Sequence, residues 1–315
     1  MRYCDPMSIT EASEPSCETC DERAVSLVIE GRPRNIGALD VTRVLPAREL
    51  RAVGPFVFLD HMGPVSFAPG SGFDVPPHPH IGLSTVTYLF EGEGVHRDSL
   101  GTVALVRPGE INLMTAGRGV VHSERSAPER RAVGGAMHGL QLWLGLPTAN
   151  EEDAPSFEHL GHAALPEVTA AGVRARVLLG EALGARSPAA HPSRPLLLDV
   201  ALDAGASFEV DGTGDERAVY VVEGEVAVGR RSFGSLRLLV VAPGTALLVL
   251  ARSASRVVVL GGPPLDGKRF IEWNFVSSSR ERIERAKAAW QAQTFPRIPG
   301  DDQELVPLPE SVSSP

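Results

Sequence analysis

Two antiparallel β barrels in tandem are the architecture this sequence predicts, and three observations carry that expectation. Short runs rich in β-branched and aromatic residues alternate with glycine-bearing turns, the rhythm of an antiparallel barrel or sandwich. The second half echoes the first: Tyr220-Val221-Val222-Glu223-Gly224-Glu225 repeats Tyr88-Leu89-Phe90-Glu91-Gly92-Glu93, and Ala242-Pro243-Gly244 repeats Arg107-Pro108-Gly109. Such echoes point to one barrel copied once. Finally, His78-Pro79-His80 and His122-Ser123-Glu124 each place two donor side chains at i, i+2, which on a strand means one shared face.

The elements follow in order. Residues 26–29 and 40–45 begin the first barrel as strands. Residues 83–90 form a third, and Glu91-Gly92-Glu93-Gly94 breaks it with glycines suited to a hairpin or bulge. Strands are expected at 103–106 and 111–115, and Gly117-Arg118-Gly119 turns the chain into the strand that carries His122. Residues 150–156 read as an acidic loop, and the Gly/Ala/Pro-rich stretch 180–195 reads as a connection. Second-barrel strands are expected at 196–202, 218–222, 226–228, 236–241, 246–250 and 256–260. Residues 278–293 look helical: Ser278 and Glu281 have capping-box spacing, and Ile283, Ala286 and Trp290 form a narrow apolar stripe. The expected division is a disordered tail over 1–22, a first barrel over 23–160, and a connecting segment over 161–195. A second barrel over 196–265 follows, with a helix and tail over 266–315.

Composition bounds the function. The 315 residues exceed what one small core usually organises, and a formal charge of −9 disfavours direct nucleic-acid binding, which needs basic patches. No apolar run is long enough to span a bilayer; the longest, 238–250, is interrupted by Pro243-Gly244. No secretory signal is visible, so a cytoplasmic location is expected. Cys4, Cys17 and Cys20 all fall in the polar N-terminal stretch. The bare Cys17-x-x-Cys20 has no second pair and no βαβ unit around it, so a tail without function is the expectation.

The two i, i+2 pairs carry the chemistry. If their strands lie side by side, three imidazoles and one carboxylate converge on one spot, a metal site of nitrogen and oxygen donors without thiolate. A lone strand histidine is usually a hydrogen-bonded or surface residue, but four donors in two pairs flanked by apolar strand residues favour a metal. His61 and His138 are expected in structural roles, His96 in a solvated or hydrogen-bonded one, and His159, His162 and His191 in loops. Between Leu196 and Leu260 there is no histidine. The second barrel is therefore expected to bind no metal and to act as support, lid or interaction surface.

Residues 54–147 resemble the pirin family of the cupin superfamily. The matching segments include Gly54-Pro55-Phe56-Val57-Phe58-Leu59-Asp60, His78-Pro79-His80-Ile81-Gly82 and His96-Arg97-Asp98-Ser99-Leu100-Gly101. They continue through Met114-Thr115-Ala116-Gly117-Arg118-Gly119-Val120-Val121-His122-Ser123-Glu124 and His138-Gly139-Leu140-Gln141-Leu142-Trp143. The likeness weakens later and returns at Trp273-Asn274-Phe275-Val276. It implies an all-β bicupin: two double-stranded β-helix (jelly-roll) barrels in tandem with a short C-terminal helix. One divalent ion is implied in the first barrel, Fe(II) first, with Mn, Ni, Cu and Zn left open by affinity order. The implied ligands are His78, His80, His122 and Glu124. One departure stands out, for many cupins and pirins carry Glu where this chain has Ser84. The resemblance further implies quercetin 2,3-dioxygenase activity on a flavonol with O2 and release of CO, with Glu124 as general base. A regulatory protein that senses a metal or its redox state and docks on a transcription factor or metabolic enzyme is the alternative it leaves open. A phenolic small molecule and O2 are the expected partners, and the chain is expected to be a monomer.

Overall fold

The computed structural model describes residues 22–36, 39–212 and 214–309. The N-terminal tail with Cys4, Cys17 and Cys20, Glu22 apart, lies outside the described residues. The architecture is all-β, as expected, with one long helix among the described residues, Arg280–Gln291. No helix among the described residues is long and apolar enough to cross a membrane.

Two compact units are present. One comprises the described residues within 1–34, 42–61 and 160–264, the other those within 35–41, 62–159 and 265–315. The units interleave along the chain, whereas the sequence reading takes consecutive blocks. The cause is long-range pairing: Val25–Glu30, near the N-terminus, is hydrogen-bonded to Arg237–Val241, with Val28 opposite Leu239.

In the unit containing 160–264, seven strands run in the order Val25–Glu30, Arg237–Val241, Glu216–Glu223, Ser255–Gly262, Leu196–Leu202, Val173–Leu179, Glu167–Ala170. The central strand Leu196–Leu202 is buried almost throughout, which is why it reads as a near-continuous apolar run. Four further strands form a second sheet in the order Ser207–Asp211, Ala246–Ala251, Glu225–Val228, Arg231–Gly234. These alternate buried and less buried residues, as strands with one core face do. Phe208, Val210, Leu247 and Val249 close the interior with other apolar residues. The segment 161–195 is more than the expected connection, because it holds the strands Glu167–Ala170 and Val173–Leu179. Arg174 and Arg176 interrupt the apolar pattern there. Arg176 is nonetheless buried, paired with Glu167 at 2.5 Å.

The other unit repeats the plan. One sheet runs Ser156–Leu160, Ile111–Thr115, Leu83–Glu91, Gly135–Gly145 and on to Phe56–Phe67, whose residues from Met62 belong to this unit. The facing set runs Asp74–His80, Val120–Arg125, Gly94–Asp98, Val103–Val106, the same order as the four-stranded set of the first unit. The sequence echo marks equivalent turns: Gly92 (φ 88°) and Gly224 (φ 80°) both take the left-handed conformation that follows the shared Glu-Gly. Tyr88 and Tyr220, at the head of each echo, are both fully buried.

Past the last strands, Ile283, Ala286 and Trp290 bury the predicted stripe against Ile81, Val121 and Phe275. The helix cap is Ser279, not Ser278: its side chain accepts from the Arg282 amide, while Ser278 hydrogen-bonds Glu151. The stretch after the helix, expected as a tail, is held down. Ile298 is buried, the Val306 amide donates to the Pro77 carbonyl, and the Trp290 indole donates to the Val306 carbonyl.

Candidate metal centre

The register of two neighbouring strands builds the site. His122 lies directly opposite His78, and Val120 opposite His80. With side chains alternating between faces, His78, His80 and His122 point into one space. Their ring centroids are 4.3 Å (His78–His122), 5.0 Å (His80–His122) and 5.0 Å (His78–His80) apart. One donor nitrogen from each ring lies within 4.8 Å of the other two, and His80 Nε2 is 3.1 Å from His122 Nε2. The indole of Trp143 meets His80 edge-on at 5.1 Å. All three histidines are buried.

Glu124 is placed differently from the simple i, i+2 expectation. A register shift between His122 and Glu124 sets Glu124 opposite Val75, and such a bulge re-aims the side chain that follows it. The carboxylate is not a member of the three-histidine cluster. It accepts from the Thr87 hydroxyl at 2.9 Å and borders a small apolar cavity lined by Met62, Phe73, Leu89, Val95, Val106 and Met137. Ser84 also lies outside the cluster, its hydroxyl 2.9 Å from that of Thr115.

Electrostatics favour neutral ligands. Burial pulls the His78 pKa down to about 4 and holds His80 and His122 well below the imidazole range, helped by repulsion from neighbouring rings. Neutral imidazole is the form that coordinates metals. Burial raises the Glu124 pKa, moderated by His96 and by the Thr87 hydrogen bond. The outward nitrogens of two of these histidines find backbone acceptors: His78 Nδ1 donates to the Pro76 carbonyl (2.9 Å) and His80 Nδ1 to the Asn274 carbonyl (3.0 Å). Each such bond fixes the tautomer and leaves Nε2 free to ligate. Three buried, neutral, converging imidazoles fit a divalent cation.

Of the remaining histidines, His61 Nδ1 lies 2.7 Å from the Tyr220 hydroxyl and His138 packs on Phe90 at 4.9 Å. His159 sits in a strand rather than a loop, with Nδ1 2.8 Å from Asn112 Oδ1. His96 is buried and takes the hydrogen-bonded one of the two positions expected for it. Its ring lies beside His122 and bonds Asp98 at 3.0 Å. The i, i+2 rule that singled out the two ligand pairs applies equally to His96 and Asp98, so the signal was present. Thr87 and Asn274 carried none.

Comparison with known proteins places this arrangement. Residues 38–144 match the Pirin family and residues 197–296 the Pirin C-terminal cupin domain. A pirin-like protein of Caulobacter vibrioides is 47% identical over 289 residues, covering 91% of this chain and 100% of that one. The chain belongs to the pirin family. A Pseudomonas aeruginosa relative, provisionally named a quercetin 2,3-dioxygenase, is 39% identical over 88% of this pirin and 87% of its own length. The crystal structure of quercetin 2,3-dioxygenase from Acinetobacter baumannii superposes with a TM-score of 0.84. It shares 31% identity with this pirin, covering 91% of its chain and 96% of the Acinetobacter one.

Proposed function

We propose that this pirin is a metal-dependent dioxygenase that opens the central ring of quercetin or a related flavonol with O2, releasing CO. The observation that carries the reading is the convergence of three buried, neutral imidazoles, His78, His80 and His122. The names of the Pseudomonas and Acinetobacter relatives support it. In this reading the three histidines hold one divalent ion, Fe(II) first, and Glu124, which stands outside their cluster, turns from Thr87 to join them as fourth ligand when the ion binds.

When bound, the cation supplies Lewis acidity toward a phenolic oxygen and a centre for O2 chemistry. The chain's own residues do the rest. Glu124 takes the proton of the flavonol 3-hydroxyl, a task suited to a carboxylate whose pKa burial has raised. Thr87 orients that carboxylate through its hydroxyl. Leu89, Val95, Val106 and Met137 line the small cavity that it borders, an apolar setting that strengthens the base.

Oxygen uptake by anaerobically iron-loaded protein given quercetin tests the proposal, with Glu124→Gln as control. Uptake with stoichiometric CO, lost in the variant, is the expected outcome. An iron-replete wild type that consumes no oxygen would overturn it.

A further inference from the structure

The three imidazoles differ in what stands behind them. His78 and His80 meet backbone carbonyls, whereas His122 meets a side chain: its Nδ1 lies 3.4 Å from Nδ1 of His96. The far nitrogen of His96, Nε2, is 3.0 Å from Asp98 Oδ2. The other oxygen of Asp98, Oδ1, accepts from the amides of Leu100 (2.9 Å) and Thr102 (3.0 Å). Asp98, His122 and His96 are 0%, 1% and 3% exposed. Phe157 stacks on His96 at 4.5 Å and fixes the ring plane.

The order of protons along this chain follows from its two ends. Backbone amides can only donate, so they hold Asp98 as an acceptor, and His96 Nε2 must carry the hydrogen that faces Oδ2. Ligation of a cation through His122 Nε2 puts that ring's proton on Nδ1, where only a lone pair on His96 Nδ1 can face it favourably. His122 Nε2 is then a lone pair, 3.1 Å from His80 Nε2. The latter is also a lone pair, because His80 Nδ1 donates to Asn274. Two lone pairs aimed at one another repel unless a cation lies within reach of both.

We propose that Asp98 and His96 are positioning residues, a relay that fixes the His122 tautomer so that its Nε2 joins His80 and His78 in holding the cation. The inference rests on the metal-site reading above and adds two residues to it. Substituting Asp98→Asn keeps an oxygen for the two amides but turns a donor toward His96. That reverses the chain and drives the His122 proton to Nε2, the ligating atom.

The test uses Zn(II) as a diamagnetic probe. Nitrogen-15 spectra of the zinc-loaded wild type should show the His122 proton on Nδ1, coupled across the hydrogen bond to an unprotonated His96 Nδ1. Competition against a chromophoric chelator should show zinc affinity about 10–100-fold weaker in Asp98→Asn, with circular dichroism unchanged. A wild type with no proton on His122 Nδ1 would overturn the proposal, and so would a folded variant that binds zinc as tightly as wild type. Should the variant fail to fold, the wild-type spectra decide alone. A wild type that takes up no zinc sinks the metal-site reading itself, and the relay with it; intact wild-type binding beside an unaffected variant sinks the relay only.

Discussion

Glu151 and Arg269 form an ion pair 2.8 Å long whose side chains are only 6% and 2% exposed. The carboxylate also accepts from the Ser277 hydroxyl and from the amide and hydroxyl of Ser278, and the guanidinium donates to the Leu146 carbonyl at 2.8 Å. The pair therefore ties the turn after the Gly135–Gly145 strand to the chain that carries Asn274, the acceptor for His80. Removing one partner strands a buried charge, so Arg269→Met should destabilise the protein by about 3–5 kcal/mol, read as a lowered urea midpoint. An unchanged midpoint would show that the pair contributes nothing net.

Metal content should reach one divalent ion per chain, measured by elemental analysis after reconstitution. His122→Ala removes one of the three converged nitrogens and should lower that content sharply while the fold persists. Full occupancy in the variant would refute the site assignment.

Stability of the metal-free protein should depend on pH in a defined direction. Burial lowers the His78 and His191 pKa values to about 4 and those of His80 and His122 well below 6.5, the value the unfolded chain regains. Between those limits the unfolded state binds more protons, so stability rises with pH. It is fully present above about 6.5 and is lost as the pH falls toward about 4, on the order of 3 kcal/mol for His78 alone. Glu124 and Asp60, raised by burial, act in the opposite sense but are outnumbered. Urea midpoints should be lower at about pH 5 than at about pH 7.5, and His78→Gln should flatten the slope. A flat wild-type profile would contradict buried neutral imidazoles.

Gly82 follows the first ligand pair at φ 66°, and a Cβ there would meet the Val276 carbonyl oxygen at 2.0 Å. Gly82→Ala should therefore both strain the backbone and push away the segment that supplies Asn274, costing more than the roughly 1 kcal/mol of an ordinary Gly-to-Ala mismatch. Differential scanning calorimetry reads the loss. A variant as stable as wild type would contradict this close approach.

What the sequence disclosed depended on how local the signal was. Strands with apolar runs between glycine turns, such as Ile111–Thr115 and Leu196–Leu202, were legible to the residue. So was the spacing that brings His78, His80 and His122 together. The displacement of Glu124 was not, because a bulge between His122 and Glu124 leaves no compositional mark. Nor was the hold on the chain's last stretch. Asp301 accepts from Ser123 and Arg125, partners too distant in sequence for any window to connect. The strand Val173–Leu179 was missed because Arg176 reads as exposed until its partner Glu167 is known.

The pairing of Val25–Glu30 with Arg237–Val241 bears on how the chain is made. The strand Val25–Glu30 is synthesised long before Arg237–Val241 and must wait, its edge uncovered, until that partner emerges. Contacts of such long sequence separation slow folding, and an uncovered edge invites pairing with another chain. Newly synthesised copies should thus depend on chaperone protection in that interval. A circular permutant opened after Glu30, in which Val25–Glu30 follows Pro315 and so lies closer in sequence to Arg237–Val241, should refold faster without altering the finished sheet.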